Sequence, residues 1–541
     1  MRYQAGITGL MLLSLTHSGF ALDETGIRVI IKYKQATSPS SLKKQLKQTT
    51  NLSPTTLKPI AGGAYVLTFD SQARPKGIKN SDSTEAVLAT LRQNPNVVYA
   101  VKDRIGHFIA PPQLQLTESS ILVSHEAQWD EFAAPGGIML ESVAGFRDGA
   151  WSYTSGQAPQ PIVVAVLDTG IAAHPSLINN LIKDEQGNFL GWNFAANNAD
   201  TFDETGTFHG THVAGTIAAY GNVMLGVGEH LKILPVKIPD SSGMFYESQV
   251  INAIYWSVGG DIPGVPKNPY PAKVLNMSFG VDERPGKEVE HCDLALQEAL
   301  DFVRSKGAVI TVAAGNENKL ENYSAPAVCQ YALKIAATGP TGFRAYYSNY
   351  GPSISFAAPG GDLFYGKQGG ILSTVNPGGG YQYSGFDFYQ GTSMAAPHAA
   401  GVVGLIYAVS KDSVSVEQVE KILVATTHAF GQNKDNSNSC VSNKSCGTGI
   451  LDANNAVRAA IADYDDIFII PATCDTLEQG KSKWFHVKGL CQDKTDLTPP
   501  QLSQTEQGKI ELRYGQVTYR LDDSAFTLCE IIGVRGLGCY S

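Results

Sequence analysis

Between residues 127 and 462 two hydrophobic patterns alternate along the chain. One is a short continuous apolar run bounded by turn-forming residues, at 162–167, 231–238, 274–277, 309–313 and 333–337. Such runs predict strands buried on both faces of a parallel sheet, where neither side meets water. The other places apolar residues three and four apart, at 212–220, 248–258 and 294–306, and predicts helices. Strand and helix in turn argue an α/β fold, a mostly parallel sheet flanked by helices and joined by right-handed crossovers.

The flanking regions read differently. Residues 22–110 hold β-rich runs at 28–33 and 64–69 and helix-like stretches at 41–48 and 84–93. Asn94-Pro95-Asn96 then turns the chain into a strand at 97–101. This predicts a small α+β unit, a compact β-α-β arrangement that ends at the loop-like Ala110-Pro111-Pro112. At the other end, residues 465–541 predict a small β-rich module, with 509–521 alternating as a hairpin around Tyr514-Gly515. The first 21 residues read as an export signal: Arg2, an apolar stretch at 6–15 and the small-residue site Gly19-Phe20-Ala21. No later run approaches the roughly 20 apolar residues of a membrane helix, so a secreted protein without a membrane partner is expected.

Charge and cysteines sharpen this picture. A net charge of −9 gives no basic surface for nucleic acid. The eight cysteines form no CxxC pair of the zinc or redox kind, and an oxidising compartment favours disulfides. Neighbourhood groups Cys292 with Cys329, Cys440 with Cys446, and Cys474, Cys491, Cys529 and Cys539 among themselves.

Four short segments carry chemistry. Val166-Leu167-Asp168-Thr169-Gly170 sets a carboxylate at the end of a buried strand, where α/β sheets tend to place functional groups. His209-Gly210-Thr211-His212 puts a histidine at the start of a small-residue helix, and Gly391-Thr392-Ser393-Met394 opens another with a serine. A serine hydroxyl needs a neighbouring base; a histidine supplies one, and a buried aspartate fixes its tautomer and steadies its cation. Ala313-Ala314-Gly315-Asn316 follows a buried strand, so that the Asn316 amide can donate to a developing oxyanion. Taken singly, Asp168 also suits a turn and Ser393 a helix cap. His209 and His212 are spaced for a metal pair, but HExxH and a third ligand are lacking.

The segments in the order Asp, His, Ser resemble the subtilisin-like serine proteases over about residues 163–460, ending near Gly447-Thr448-Gly449-Ile450-Leu451-Asp452. The resemblance implies a secreted serine endopeptidase working through an acyl-enzyme, with Asp168, His209 and Ser393 as triad. Asn316 and the Ser393 N–H would form its oxyanion hole. A peptide substrate would add as a strand between Gly243-Met244-Phe245 and Ser278-Phe279-Gly280, with Ala314, Gly315 and Ser324 shaping the primary pocket. The leading segment resembles the family's inhibitory propeptide, especially at Asn94-Pro95-Asn96-Val97-Val98-Tyr99. It is therefore expected to be a partner folded into the cleft until the chain is cut between Phe108 and Ala134.

The chain also departs from the family pattern. Family members often hold a structural calcium with an acidic residue after the Asp segment, where Ser176 stands here, and with a loop that is short here at 220–224. Asp200, Asp203 and Glu204 offer carboxylates for another calcium; the chemistry itself needs no cofactor. An esterase of the α/β-hydrolase kind would need G-x-S-x-G and the order Ser, Asp, His, whereas residues 391–395 read G-x-S-x-A.

Overall fold

The computed structural model describes residues 26–461, apart from short internal stretches of which 109–123 is the longest, together with five short strands between 467 and 521. The proposed export signal, Ser324 and the last four cysteines lie outside the described residues.

The leading unit comprises β1 (Ile27–Tyr33), α1 (Pro39–Thr50), β2 (Thr56–Pro59), β3 (Ala64–Phe69), α2 (Ser83–Arg92) and β4 (Val97–Lys102). Its sheet has the order β2-β3-β1-β4 with every pair antiparallel. The expected strands and helices are therefore present, but β2 joins them and no parallel pair forms. Val29, Ile31, Leu67 and Phe69 meet Leu42, Leu46, Val87, Leu88 and Leu91 of the two helices in a core of their own. A further strand, β5 (Ile105–His107), leaves this unit altogether.

The central region holds seven parallel strands: β6 (Val163–Asp168), β7 (Trp192–Asn193), β8 (Lys232–Lys237), β10 (Val274–Met277), β12 (Val309–Ala313), β13 (Leu333–Thr338) and β14 (Phe356–Pro359). Their order is β14-β13-β12-β10-β6-β8-β7, the parallel architecture expected. Two shorter strands, β9 (Met244–Tyr246) and β11 (Gly280–Val281), stand outside this sheet. Strand β6 shows why the apolar runs are continuous. Val164 and Val166 face one core with α3 (His209–Ala218) and α6 (Thr392–Val409). Val163, Ala165 and Leu167 face the other, with α4 (Glu247–Ser257) and α5 (Leu294–Ser305). At about 25 cal/mol per Å², burial on both faces supplies most of the drive that holds such a strand at the centre of a sheet.

Helix α6 is apolar enough to cross a membrane by length and composition, yet 83% of it is buried here as the central core helix. Two disulfides, Cys292–Cys329 and Cys440–Cys446, are those grouped from the sequence. Among the trailing strands, Ile510–Tyr514 and Val517–Leu521 pair antiparallel as the expected hairpin, with Tyr514 opposite Val517.

Candidate active site

Asp168 is the last residue of β6 and is fully buried. Its Oδ1 accepts from the Thr169 N–H (2.7 Å) and lies 2.8 Å from Nδ1 of His209, the first residue of α3. The helix can come this close because its second residue is Gly210, where a Cβ would stand 2.3 Å from the Gly170 carbonyl oxygen. Helix α3 begins three residues earlier than the apolar spacing predicts. The buried Asp203 carboxylate caps it, accepting from Thr211 N (3.2 Å) and Oγ1 (3.0 Å).

Burial, the largest influence on His209, lowers its pKa, but the charge and hydrogen bond of Asp168, joined by the charge of Asp203, hold it above the ordinary histidine value. His212 is unlike it. Burial takes its pKa down to about 3, its ring stacks on Tyr389 at 4.2 Å, and Nε2 faces the Ile371 and Asp387 carbonyls. It is a packed structural histidine, as is His398, held between Met394 O and Asp130.

Ser393 is the second residue of α6, 8% exposed. Its hydroxyl donates to the Ser278 carbonyl (3.2 Å), and Ser278 Oγ donates back to the Ser393 carbonyl (3.0 Å). Asn316 lies beside the same helix start. Its Oδ1 accepts from Thr392 N and Thr392 Oγ1, both at 2.9 Å, which fixes the amide and leaves Nδ2 as donor. Ala314 and Gly315 follow β12 and are held by Asn349, through Ala314 O and Gly315 O, while Gly315 N donates to Thr392 Oγ1.

The two segments expected to flank a substrate lie on either side of a strand of the chain itself. Strand β5 lies between them, antiparallel to both, with His107 opposite Met244 and Gly280, and Gly106 opposite Phe245 and Val281. Phe108 continues the ladder by donating its N–H to Gly243 O (3.1 Å), and its ring sits 5.6 Å from that of His209 and 5.5 Å from those of Phe245 and Phe279.

Two residues that sequence reasoning missed hold this strand in place. The buried Asp103 accepts from Ser248 N and Oγ (2.9 Å each), capping α4, and from Arg28. Arg104 reaches Glu247 (2.7 Å) and Asp293 (2.6 Å), with both arginine and glutamate buried. Burial and then the Asp293 charge push the Glu247 carboxyl up to about 8 against the pull of Arg104. Nothing in the sequence marks these two charges, because charges beyond a strand end usually face water.

The carboxylates considered for calcium are engaged within the chain. Asp203 caps α3, Glu204 pairs with Lys237 (3.1 Å), and Asp200 accepts from Phe202 N. Away from the cleft, His125, Glu131 and Glu141 gather donor atoms within 4.8 Å of one another. The imidazole there already spans the two carboxylates, with Nε2 on Glu141 and Nδ1 3.2 Å from Glu131.

Comparison with known proteins places the chain in a family. Residues 160–449 match the Subtilase family. The chain is 32% identical to the extracellular basic protease of Dichelobacter nodosus, over 82% of this chain and 72% of that protein. It is 30% identical to the extracellular protease of Xanthomonas campestris pv. campestris, over 82% and 74%. A solved structure of a protease from Pseudoalteromonas arctica superposes with a TM-score of 0.52 at 33% identity, covering 65% of this chain and all of that one.

Proposed function

The chain belongs to the subtilase family and is a serine endopeptidase acting on proteins, and from that premise we propose that Asp168, His209 and Ser393 are its triad and that it is secreted as a proenzyme. The observation that carries this reading is the extended peptide β5, bound as the middle strand of the cleft and followed by Phe108 against His209. The names of two relatives, both extracellular proteases, support secretion.

The Ser393 hydroxyl leaves the Ser278 carbonyl, passes its proton to His209 Nε2, and Oγ attacks the scissile carbonyl carbon. Asp168 holds Nδ1 of the imidazole and stabilises the cation. Asn316 Nδ2 and the Ser393 N–H receive the oxyanion, a donor of this kind contributing about 2.7–4 kcal/mol in subtilisin. Collapse expels the amine, which takes the proton from His209. Water then enters by the same route, releasing the acid and restoring Ser393.

The test is covalent. A fluorophosphonate added to the secreted protein is expected to label Ser393, located by mass spectrometry of the digested adduct; a label on another residue, or none, overturns the assignment. A pH profile tests the partners. Since His209 acts as base only when neutral and its pKa is raised, kcat/KM is expected to climb with pH through a midpoint above about 6.5. Asp168→Asn removes the charge that raises it, so the limb moves to lower pH while the rate falls by about 10⁴. An unmoved limb would separate Asp168 from this role.

A further inference from the structure

Gly106 lies in β5 with regular antiparallel pairing on both sides and is not among the glycines with positive φ. Its backbone therefore gives no reason for glycine; its surroundings do. A Cβ built there would stand 2.3 and 2.4 Å from Cε2 and Cζ of Phe245 and 3.0 Å from the Gly280 carbonyl oxygen. The Phe245 ring has little room to yield. It is fully buried, 5.2 Å from the Phe279 ring at 78°, and 5.5 Å from the Phe108 ring on another side.

Alternate residues of a strand share a face, so residues 106 and 108 meet the cleft floor together. One side chain serves both. The Phe245 ring fills the space beside residue 106 and forms, with Phe279 and His209, a three-sided aromatic seat for the ring of residue 108. We propose that Phe245 sets the substrate preference of this enzyme, selecting peptides with the pattern Gly-x-aromatic, the aromatic residue seated against His209 and the glycine two residues before it. This rests on the endopeptidase reading above, in which a substrate lies where 105–108 lie. Any side chain at the glycine position must displace a wedged ring or approach a backbone oxygen, while an aromatic ring at the later position gains edge and face contacts.

The test uses the enzyme secreted from the full-length gene after removal of its leading segment, with quenched fluorescent peptides that differ only at these two positions and casein as a sequence-tolerant control. Replacing the glycine by alanine is expected to lower kcat/KM by about 10- to 100-fold and by leucine further, and replacing the aromatic residue by alanine by about tenfold. Phe245→Ala is expected to bring the glycine and alanine peptides within about twofold of each other. If wild-type enzyme cleaves casein yet accepts glycine, alanine and leucine alike, the preference is refuted and the endopeptidase reading stands. If neither casein nor any peptide is cut, the reading beneath it fails. If the preference persists undiminished in Phe245→Ala, the role of that ring is refuted. Should this variant not be secreted, Phe245→Leu is measured in its place, with the same flattening expected.

Discussion

Ser393→Ala is expected to leave the protein folded, uncut and inert toward casein. Loss of the attacking oxygen removes the one atom that can form the acyl bond, so neither the imidazole nor the oxyanion donors have anything left to act on. In subtilisin the corresponding loss is about 2 × 10⁶ in kcat, and the same order is expected here. The hydroxyl is small, and Ser278 is the partner that loses its donor. Stability should therefore move by no more than about 1 kcal/mol, and circular dichroism should be unchanged. The expressed chain should also keep its leading segment, since self-cutting needs the same oxygen. Fragments released at the wild-type rate, or a leading segment still removed by the isolated variant, would place the nucleophile elsewhere.

Arg104→Ala is expected to have the second largest effect, on the hold of the leading segment rather than on chemistry. Arg104 is buried against Glu247 and Asp293, and its removal leaves the Asp293 carboxylate and the buried Glu247 carboxyl without their cation. Deleting one partner from a buried ionic group costs about 3–5 kcal/mol. Measured on a Ser393→Ala background, where the chain stays whole, amide protection across β1 and β4 should fall by roughly 10² to 10³ relative to the parent. Protection within β6 and β10 should not change. Equal protection across β1 and β4 in variant and parent would mean that the antiparallel pairing of β5, rather than the ion cluster, retains the segment.

The large sheet was legible from the sequence because its strands are buried on both faces. The apolar run at 162–167 appears as Val163–Asp168, and 274–277 and 309–313 coincide with β10 and β12. Asp168 and Asn316 were singled out because they follow strands that hydrophobic patterning locates, whereas His209 and Ser393 open helices whose starts patterning did not locate and were singled out by the short segments around them. Other parts were hidden for physical reasons. The antiparallel pair Ile371–Val375 and Gly385–Tyr389 carries a polar face, with Ser373 and Thr374 turned to the α3 carbonyls, and so lacks an apolar signature. Strand β5 is three residues long and draws its order from the cleft it enters, not from its own composition. Asp103 and Arg104 acquire meaning only opposite Ser248 and Glu247, some 140 residues away in the chain.

If the chain is a proenzyme as proposed, the position of β5 bears on where it would become active. While the chain is whole, the segment and the cleft are one molecule, and the segment faces the cleft at an effective concentration on the order of millimolar. On the proenzyme reading proposed above, a cut beyond Phe108 would leave the pairing of β5 in place and convert this local concentration into the bulk one. From that moment occupancy follows mass action. In the confined volume where the protein is made the freed segment would still fill the cleft, and dilution outside the cell would empty it. In a secreted proenzyme of the kind proposed, dilution would act as the activating signal, coupling the onset of proteolysis to arrival outside without any separate trigger.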